Sequence, residues 1–250
     1  MYTLKKSLGQ HFLKDEDICR RIVEAVQAVP FSNLLEVGPG GGALTKYLVA
    51  LPGIDLKAVE LDEEKVVYLK NTYPALEGRL LHESVLDMEP PFGEPFMVVG
   101  NFPYNISTQI LFKILEWEER VQGVVGMFQK EVAQRVAARE GSKVYGVTSV
   151  LVQAWYKVEY LFDVPERSFT PPPKVMSGVI RMVPLPQPLP MKSRAAFFNL
   201  VKAAFGQRRK TLRNACRSLF DPAILQRPIF DLRAEQLSVE QFAQLSFDIK

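Results

Sequence analysis

A chain of 250 residues that is 47% hydrophobic and 24% charged has room for one large domain, or a domain with a small appendage, and is too apolar to be disordered. Cys19 and Cys216 form no CxxC pair and His11 and His82 stand alone, so no disulfide framework or metal-ligand spacing is present and a reducing compartment is expected. The formal net charge of +3 says little, and no apolar run has the length of a signal-peptide core or a membrane span, which points to a soluble, cytoplasmic protein.

Short apolar runs alternate with helical patterns along the chain. Ile18 to Val29 predicts a helix with Ile22, Val23 and Val26 on one face. Leu34 to Val37 predicts a strand that ends in a glycine-rich turn, and Ala43 to Leu51 the helix after it. Leu56 to Val59 predicts a strand ending at Glu60, followed by a helix over Glu63 to Tyr73 and a short strand over Arg79 to Leu81. Phe96 to Val99 predicts the next strand, and Thr108 to Trp117 a helix with Ile110, Leu111, Ile114 and Leu115 at helical spacing. Gly123 to Phe128 predicts a strand and Lys130 to Arg139 a helix, and the β-branched stretches Val147 to Tyr160 and Val175 to Val183 predict strands that close the set. This alternation predicts an α/β fold with a mostly parallel sheet covered on both faces, in which ligands bind beyond the carboxyl ends of the strands.

Pro184 to Pro190 alternates proline with other residues, a pattern that suits a stiff extended linker. It divides a sheet domain over 1–183 from a basic, helical domain over 191–250. From Met191 to Phe220 the chain has eight basic residues, Lys192, Arg194, Lys202, Arg208, Arg209, Lys210, Arg213 and Arg217, and no acidic one. A stretch of one sign predicts a polyanion partner, against the plainer reading of a solvated helix face.

Two motifs fall at strand ends. Gly38-Pro39-Gly40-Gly41-Gly42-Ala43 departs from the dinucleotide fingerprint G-x-G-x-x-G in the place of its third glycine. Glu60 ends the second strand 22 positions after Gly38, where a carboxylate accepts the hydroxyls of a ribose. Loop and acid together predict an adenosine-containing ligand, either NAD or S-adenosylmethionine. Asn101-Phe102-Pro103-Tyr104 reads as an ordinary turn or as a reaction site. Hydride transfer has no use for it, whereas methylation of an exocyclic amine does. The lone pair of such an amine is delocalised, and acceptors at the Asn101 side chain and at the carbonyl of Phe102 or Pro103 would favour a tetrahedral nitrogen. Tyr104 offers a face for base stacking.

The chain resembles the KsgA/RsmA family of small-subunit ribosomal RNA adenine dimethyltransferases over nearly its full length. The blocks are Ser7 to Leu13, Glu36 to Thr45, Glu60 to Asp62, Asn101 to Tyr104, Phe169 to Val175 and Phe205 to Asn214, with Gln129 to Ala133 and Tyr145-Gly146 also fitting. The resemblance implies a Rossmann-like class I methyltransferase using S-adenosylmethionine. It implies that Gln10, His11, Leu13, Gly38, Gly40, Glu60 and Asn101 bind the cofactor. Asn101, Pro103 and Tyr104 are the expected catalytic group. The substrate would meet Tyr104, Phe169, Lys174, Arg208, Arg209 and Lys210, with Phe169 exposed in its Pro-rich loop and stacked on a flipped adenine. One departure is Ser84, which stands where the family has an Asp contacting the cofactor adenine; Glu83 or Asp87 can substitute only with a loop shift. The implied substrate is two adjacent adenosines in the 3′-terminal hairpin of small-subunit rRNA, converted to N6,N6-dimethyladenosine, with the small ribosomal subunit as partner, a role in its assembly and a monomeric enzyme.

Rivals differ at particular residues. A large-subunit rRNA methyltransferase of the macrolide-resistance type shares the glycine loop and NxPY, and lacks the Ser7 to Leu13, Pro171 to Val175 and Gln207 to Leu212 blocks. A non-enzymic assembly factor is favoured only by Ser84. A DNA adenine methyltransferase would carry a carboxylate at Asn101, and a dehydrogenase a different glycine spacing.

Overall fold

A computed structural model describes residues 11–250, so the blocks at Ser7 to Gln10, including the expected cofactor residue Gln10, lie outside the described residues. The chain divides into two compact units, Met1–Ala133 with Glu159–Pro184, and Gln134–Val158 with Leu185–Lys250.

In the first unit the alternation of the sequence becomes strands β1 (Phe12–Leu13), β2 (Asn33–Val37), β3 (Asp55–Glu60), β4 (Leu80–His82), β5 (Phe96–Asn101), β6 (Val121–Gln129), β7 (Tyr156–Val164, which begins in the second unit), β8 (Phe169–Thr170) and β9 (Ser177–Pro184). The main sheet runs β4-β3-β2-β5-β6-β9-β7. Neighbours are parallel from β4 to β6, and β9 is antiparallel to β6. Strand order reverses between β2 and β5, which places the ends of β2, β3 and β5 around one crevice, the position where such sheets bind ligands. Val98 and Val99 of β5 and Leu34 and Leu35 of β2 are fully buried, as strands covered on both faces must be.

Helices α1 (Glu16–Gln27), α2 (Thr45–Leu48), α3 (Glu63–Thr72) and α4 (Ser107–Glu116) connect these strands. Helix α1 starts at Asp15, whose carboxylate accepts the N–H groups of Asp17 and Ile18 at 3.2 and 3.3 Å, and it buries Ile18, Ile22, Val23 and Val26 at helical spacing. The predicted helix over Ala43 to Leu51 shortens to α2, because the glycine loop before it turns through Gly42 at φ +83°. A small two-stranded sheet pairs β1 with β8, Leu13 opposite Phe169. That pairing draws the Pro-rich block against the N-terminal strand and turns Phe169 inward. Phe169 is therefore fully buried in the apolar cluster with Leu13, Ile18 and Ile22, and the expectation of an exposed Phe169 is corrected.

Helix α5 (Lys130–Val136) follows β6. In the second unit, α6 (Val147–Gln153) replaces the strand predicted from Val147 onward. Its Val150, Leu151 and Val152 are buried rather than paired, and Trp155 just beyond it packs edge-on to Phe197 and Phe198, so tertiary burial overrides strand propensity. Helices α7 (Arg194–Gly206), α8 (Leu212–Ala215) and α9 (Val239–Leu245) complete the unit. Residues 134–158 cluster here rather than with the sheet; Gly141 N–H donates to the Glu235 carbonyl at 2.7 Å and Tyr145 packs against Phe205. Pro184 ends β9, and residues 185–190 have no regular structure, as alternating prolines require. No described helix is long and apolar enough to cross a membrane.

Candidate active site

A cavity of about 440 Å³ opens at the carboxyl ends of β2, β3 and β5, bounded by the glycine loop, by Phe12 and Leu13 of β1 and by the Asn101 to Ile106 turn. The glycine loop must be glycine where the chain bends most. Gly40 has φ +55°, and a Cβ there would lie 3.1 Å from the Phe12 ring; at Gly42 a Cβ would lie 2.5 Å from Tyr73 Oη. The loop is thus pressed between aromatic walls while its backbone faces the cavity.

Glu60, the last residue of β3, is fixed by three backbone donors. Gly40 N–H reaches Oε2 at 3.1 Å, and the N–H groups of Leu61 and Asp62 both reach Oε1 at 3.0 Å. Of the roughly four acceptor positions of a carboxylate these bonds take three, which leaves Oε2 able to accept a hydroxyl without Glu60 moving. Glu36 also lines the cavity. It is buried, and burial pushes its carboxyl up to about 8 despite the hydrogen bond from Thr45 Oγ1 at 2.7 Å; the nearby Glu60 carboxylate acts in the same direction as burial.

Asn101 closes β5 where the ladder ends. Its Nδ2 donates to the His11 carbonyl at 3.0 Å, which leaves Oδ1 as the free end of the amide in a cavity-lining residue. Beyond it the chain stays on the sheet for one more bond, Phe102 N–H to the Met127 carbonyl at 3.2 Å. The Phe102 ring is fully buried, set edge-on to Phe128 at 5.0 Å, and fills the space over Gly100 and Gly126, where a Cβ would come within 2.7 and 2.4 Å of it. The Pro103 carbonyl accepts the Ile106 N–H at 3.2 Å. Of the two carbonyls that the sequence left open, the one at Phe102 is the less engaged. Tyr104 is half-buried, its ring stacked on His11 with centroids 5.5 Å apart, and its phenol lies 2.5 Å from Ser177 Oγ. His11 Nδ1 lies 2.9 Å from the Pro171 carbonyl; since a carbonyl only accepts, that nitrogen carries the proton.

The fold therefore brings together His11, Leu13, Gly38, Gly40, Glu60, Asn101, Pro103 and Tyr104 around one cavity. It leaves Ser84 and Phe169 out of the lining. The Ser84 hydroxyl accepts the Leu86 N–H at 3.2 Å, closing its own loop after β4, a local bond short polar side chains favour. Lys174 is exposed. Arg208, Arg209 and Lys210 are exposed in the second unit, where Arg208 donates to the Lys143 carbonyl; Arg209 and Lys210 have no ion-pair partner among the described residues. Phe12 and Ser177 escaped the sequence reading. Ser177 had a visible signal, a polar side chain at the head of the apolar run Gly178 to Ile180. No cluster of potential metal ligands occurs among the described residues.

A family model described as ribosomal RNA adenine dimethylase matches residues 1–249. The chain is 50% identical over 246 residues to a ribosomal RNA small subunit methyltransferase A of Cytophaga hutchinsonii, covering 97% of this chain and 95% of that one. It is 46% identical over 250 residues to a protein of the same name from Flavobacterium johnsoniae, covering 98% and 95%. In structure it is similar to a dimethyladenosine transferase from Plasmodium falciparum, with TM-score 0.78 and 24% identity over 94% of this chain and 96% of that one. It is also similar to the 23S rRNA methyltransferase ErmE, with TM-score 0.72 and 24% identity over 95% and 99%; both likenesses are of fold.

Proposed function

The chain belongs to the ribosomal RNA adenine dimethylase family, and on that premise we propose how its cavity does the family's work. Its fold is the Rossmann-like class I methyltransferase sheet with helices. It dimethylates adenine N6 in small-subunit rRNA with S-adenosylmethionine as methyl donor. The finer reading is that the targets are two adjacent adenosines in the 3′-terminal hairpin, met on the small subunit during its assembly in the cytoplasm, by a monomeric enzyme.

The cavity fits the cofactor. Its glycine walls admit a flat, extended ligand, and the Glu60 carboxylate, held by three backbone N–H groups, keeps an acceptor position on Oε2 for a ribose hydroxyl. His11, Leu13, Gly38 and Gly40 line the remainder. When bound, S-adenosylmethionine supplies a methyl group already activated on a sulfonium. What the protein must add is placement.

The observation that carries this reading is the Asn101 amide, whose Nδ2 is spent on the His11 carbonyl. Asn101 Oδ1 accepts one N–H of the adenine amine and the Phe102 carbonyl accepts the other. Two acceptors pull the nitrogen out of conjugation with the ring and turn its lone pair toward the methyl group. Methylation leaves the nitrogen with one proton too many, which passes to water; a single N–H then remains, and either acceptor can hold it for the second round. Pro103 fixes the turn that carries the Phe102 carbonyl. Tyr104 offers its ring to the base, which leaves its own stack at a cost of a few kcal/mol. Arg208, Arg209, Lys210 and Lys174 meet phosphates and position the RNA without reading its sequence.

The test is methyl transfer from labelled S-adenosylmethionine to unmethylated small and large ribosomal subunits, with mass spectrometry of the digested RNA. N6,N6-dimethyladenosine confined to the small-subunit RNA is the expected result. Label in large-subunit RNA, or none with subunit binding intact, overturns the substrate assignment or the enzymic reading respectively.

A further inference from the structure

Tyr104 is fixed at its edge and on one face. Its hydroxyl meets Ser177 Oγ at 2.5 Å, and its ring lies against the His11 imidazole with planes at 28°. The 5.5 Å between the ring centroids is a direct contact, with no space for a base between them, so a stacked adenine takes the opposite face. Ser177 is fully buried. It opens β9 and pairs with Gln129 of β6. The backbone on either side of it has no freedom: the Met176 carbonyl accepts the Lys130 N–H at 2.9 Å, and a Cβ on Gly178 would come 2.5 Å from Tyr160 Oη. Tyr160 is itself bonded to Asp163, which pairs with Lys130 at 2.5 Å. Burial raises the Tyr104 phenol above its usual range, so it stays protonated and able to donate.

We propose that Ser177 is a positioning residue for methyl transfer: through the Tyr104 hydroxyl it ties the base-stacking ring to β9 and so sets the plane on which the target adenine lies. This rests on the assignment of Tyr104 as the base platform. Tyr104 stands on a turn of few anchors, its carbonyl accepting the Ser107 hydroxyl at 3.2 Å. Stacking on an untethered ring would hold the base at many tilts. N6 meets Asn101 Oδ1 and the Phe102 carbonyl together at only a few of them. A tether from a strand outside the turn removes the unproductive tilts before the base arrives, which is where positioned groups gain rate.

The experiment is a double-variant cycle on unmethylated small subunits, with cofactor binding and thermal melting as checks on folding. Ser177→Ala and Tyr104→Phe are each expected to lower kcat about three- to tenfold, the net worth of one neutral hydrogen bond, with KM and cofactor affinity little changed. The two together should lose no more than either alone, and Ser177→Thr, which keeps the hydroxyl, should recover most of the loss. Losses that multiply in the double variant, or a Tyr104→Phe enzyme at full rate, overturn the proposal. The second outcome applies even if Ser177→Ala does not fold. Tyr104→Ala separates this idea from its premise. If Tyr104→Ala is unimpaired, the base-platform reading itself falls; if it is inactive while Ser177→Ala turns over at full rate, only the role of Ser177 falls.

Discussion

In the sheet unit, Glu60 is held by three backbone N–H groups and Asn101 by a backbone carbonyl. In the C-terminal unit, Arg209 and Lys210 stand exposed with no ion-pair partner among the described residues. Under the proposed function both regions serve one reaction, one through side chains held by backbone hydrogen bonds and the other through exposed cations. The difference follows from what each must meet. A reacting amine has one productive orientation, so the groups that receive it are fixed before it comes. A phosphate backbone offers a charge at every step and can be met by a mobile cation in many geometries. Rigidity there would cost side-chain entropy and add nothing.

The sharpest way to break this contrast is at Asn101. Asn101→Ala is expected to lower kcat about a hundredfold or more, as removal of a positioned polar group at a reacting centre does, while calorimetry still detects cofactor binding; turnover near wild type would mean that the hydrogen-bonded side chains do no chemistry. Glu60→Ala should weaken S-adenosylmethionine binding by about ten- to a hundredfold, the value of a hydrogen-bonded charge, with kcat at saturating cofactor much less affected. Among the exposed cations, Arg208→Glu with Arg209→Glu should weaken RNA binding and flatten the slope of log K against log salt by about one to two. Unchanged binding would return that stretch to a solvated face.

The smallest effect expected is on stability. Glu36 has its carboxyl pushed up from 4.5 to about 8 by burial, so the folded chain holds a proton that the unfolded chain gives up. Below about 4.5 this stabilisation is fully present, and it is lost as pH rises toward 8. Melting of the cofactor-free protein should therefore fall more steeply across that window in wild type than in Glu36→Gln; parallel curves would show that Glu36 ionises freely in the fold.

Much of this was legible in the sequence because the signals were local. Each run of alternating apolar strand and helix from Ile18 to Phe128 found its element, and the glycine loop, Glu60 and Asn101 announced themselves at strand ends. What was misread depends on partners distant in sequence. Val147 to Gln153 has the composition of a strand and becomes a helix because it packs on α7. Phe169 belongs to a Pro-rich block that suggests a loop, but its pairing opposite Leu13 turns the ring into the core. Ser177 acquires meaning only when a tyrosine 73 positions earlier reaches it. Ser84 is the reverse case: its place in the motif order suggests a ligand contact, and the local bond to Leu86 N–H directs its hydroxyl into its own loop.

The bond from Asn101 Nδ2 to the His11 carbonyl also settles a matter of sign. A primary amide is nearly symmetric in shape, and half a turn about its last bond exchanges an acceptor for a donor. An amine arriving at the donor end would find hydrogens facing hydrogens. Among the described residues it is the carbonyl 90 positions away that breaks that symmetry. Under the proposed function the tetrapeptide Asn101-Phe102-Pro103-Tyr104 thus supplies the acceptors of the reaction but not their polarity, which comes from His11, just ahead of β1.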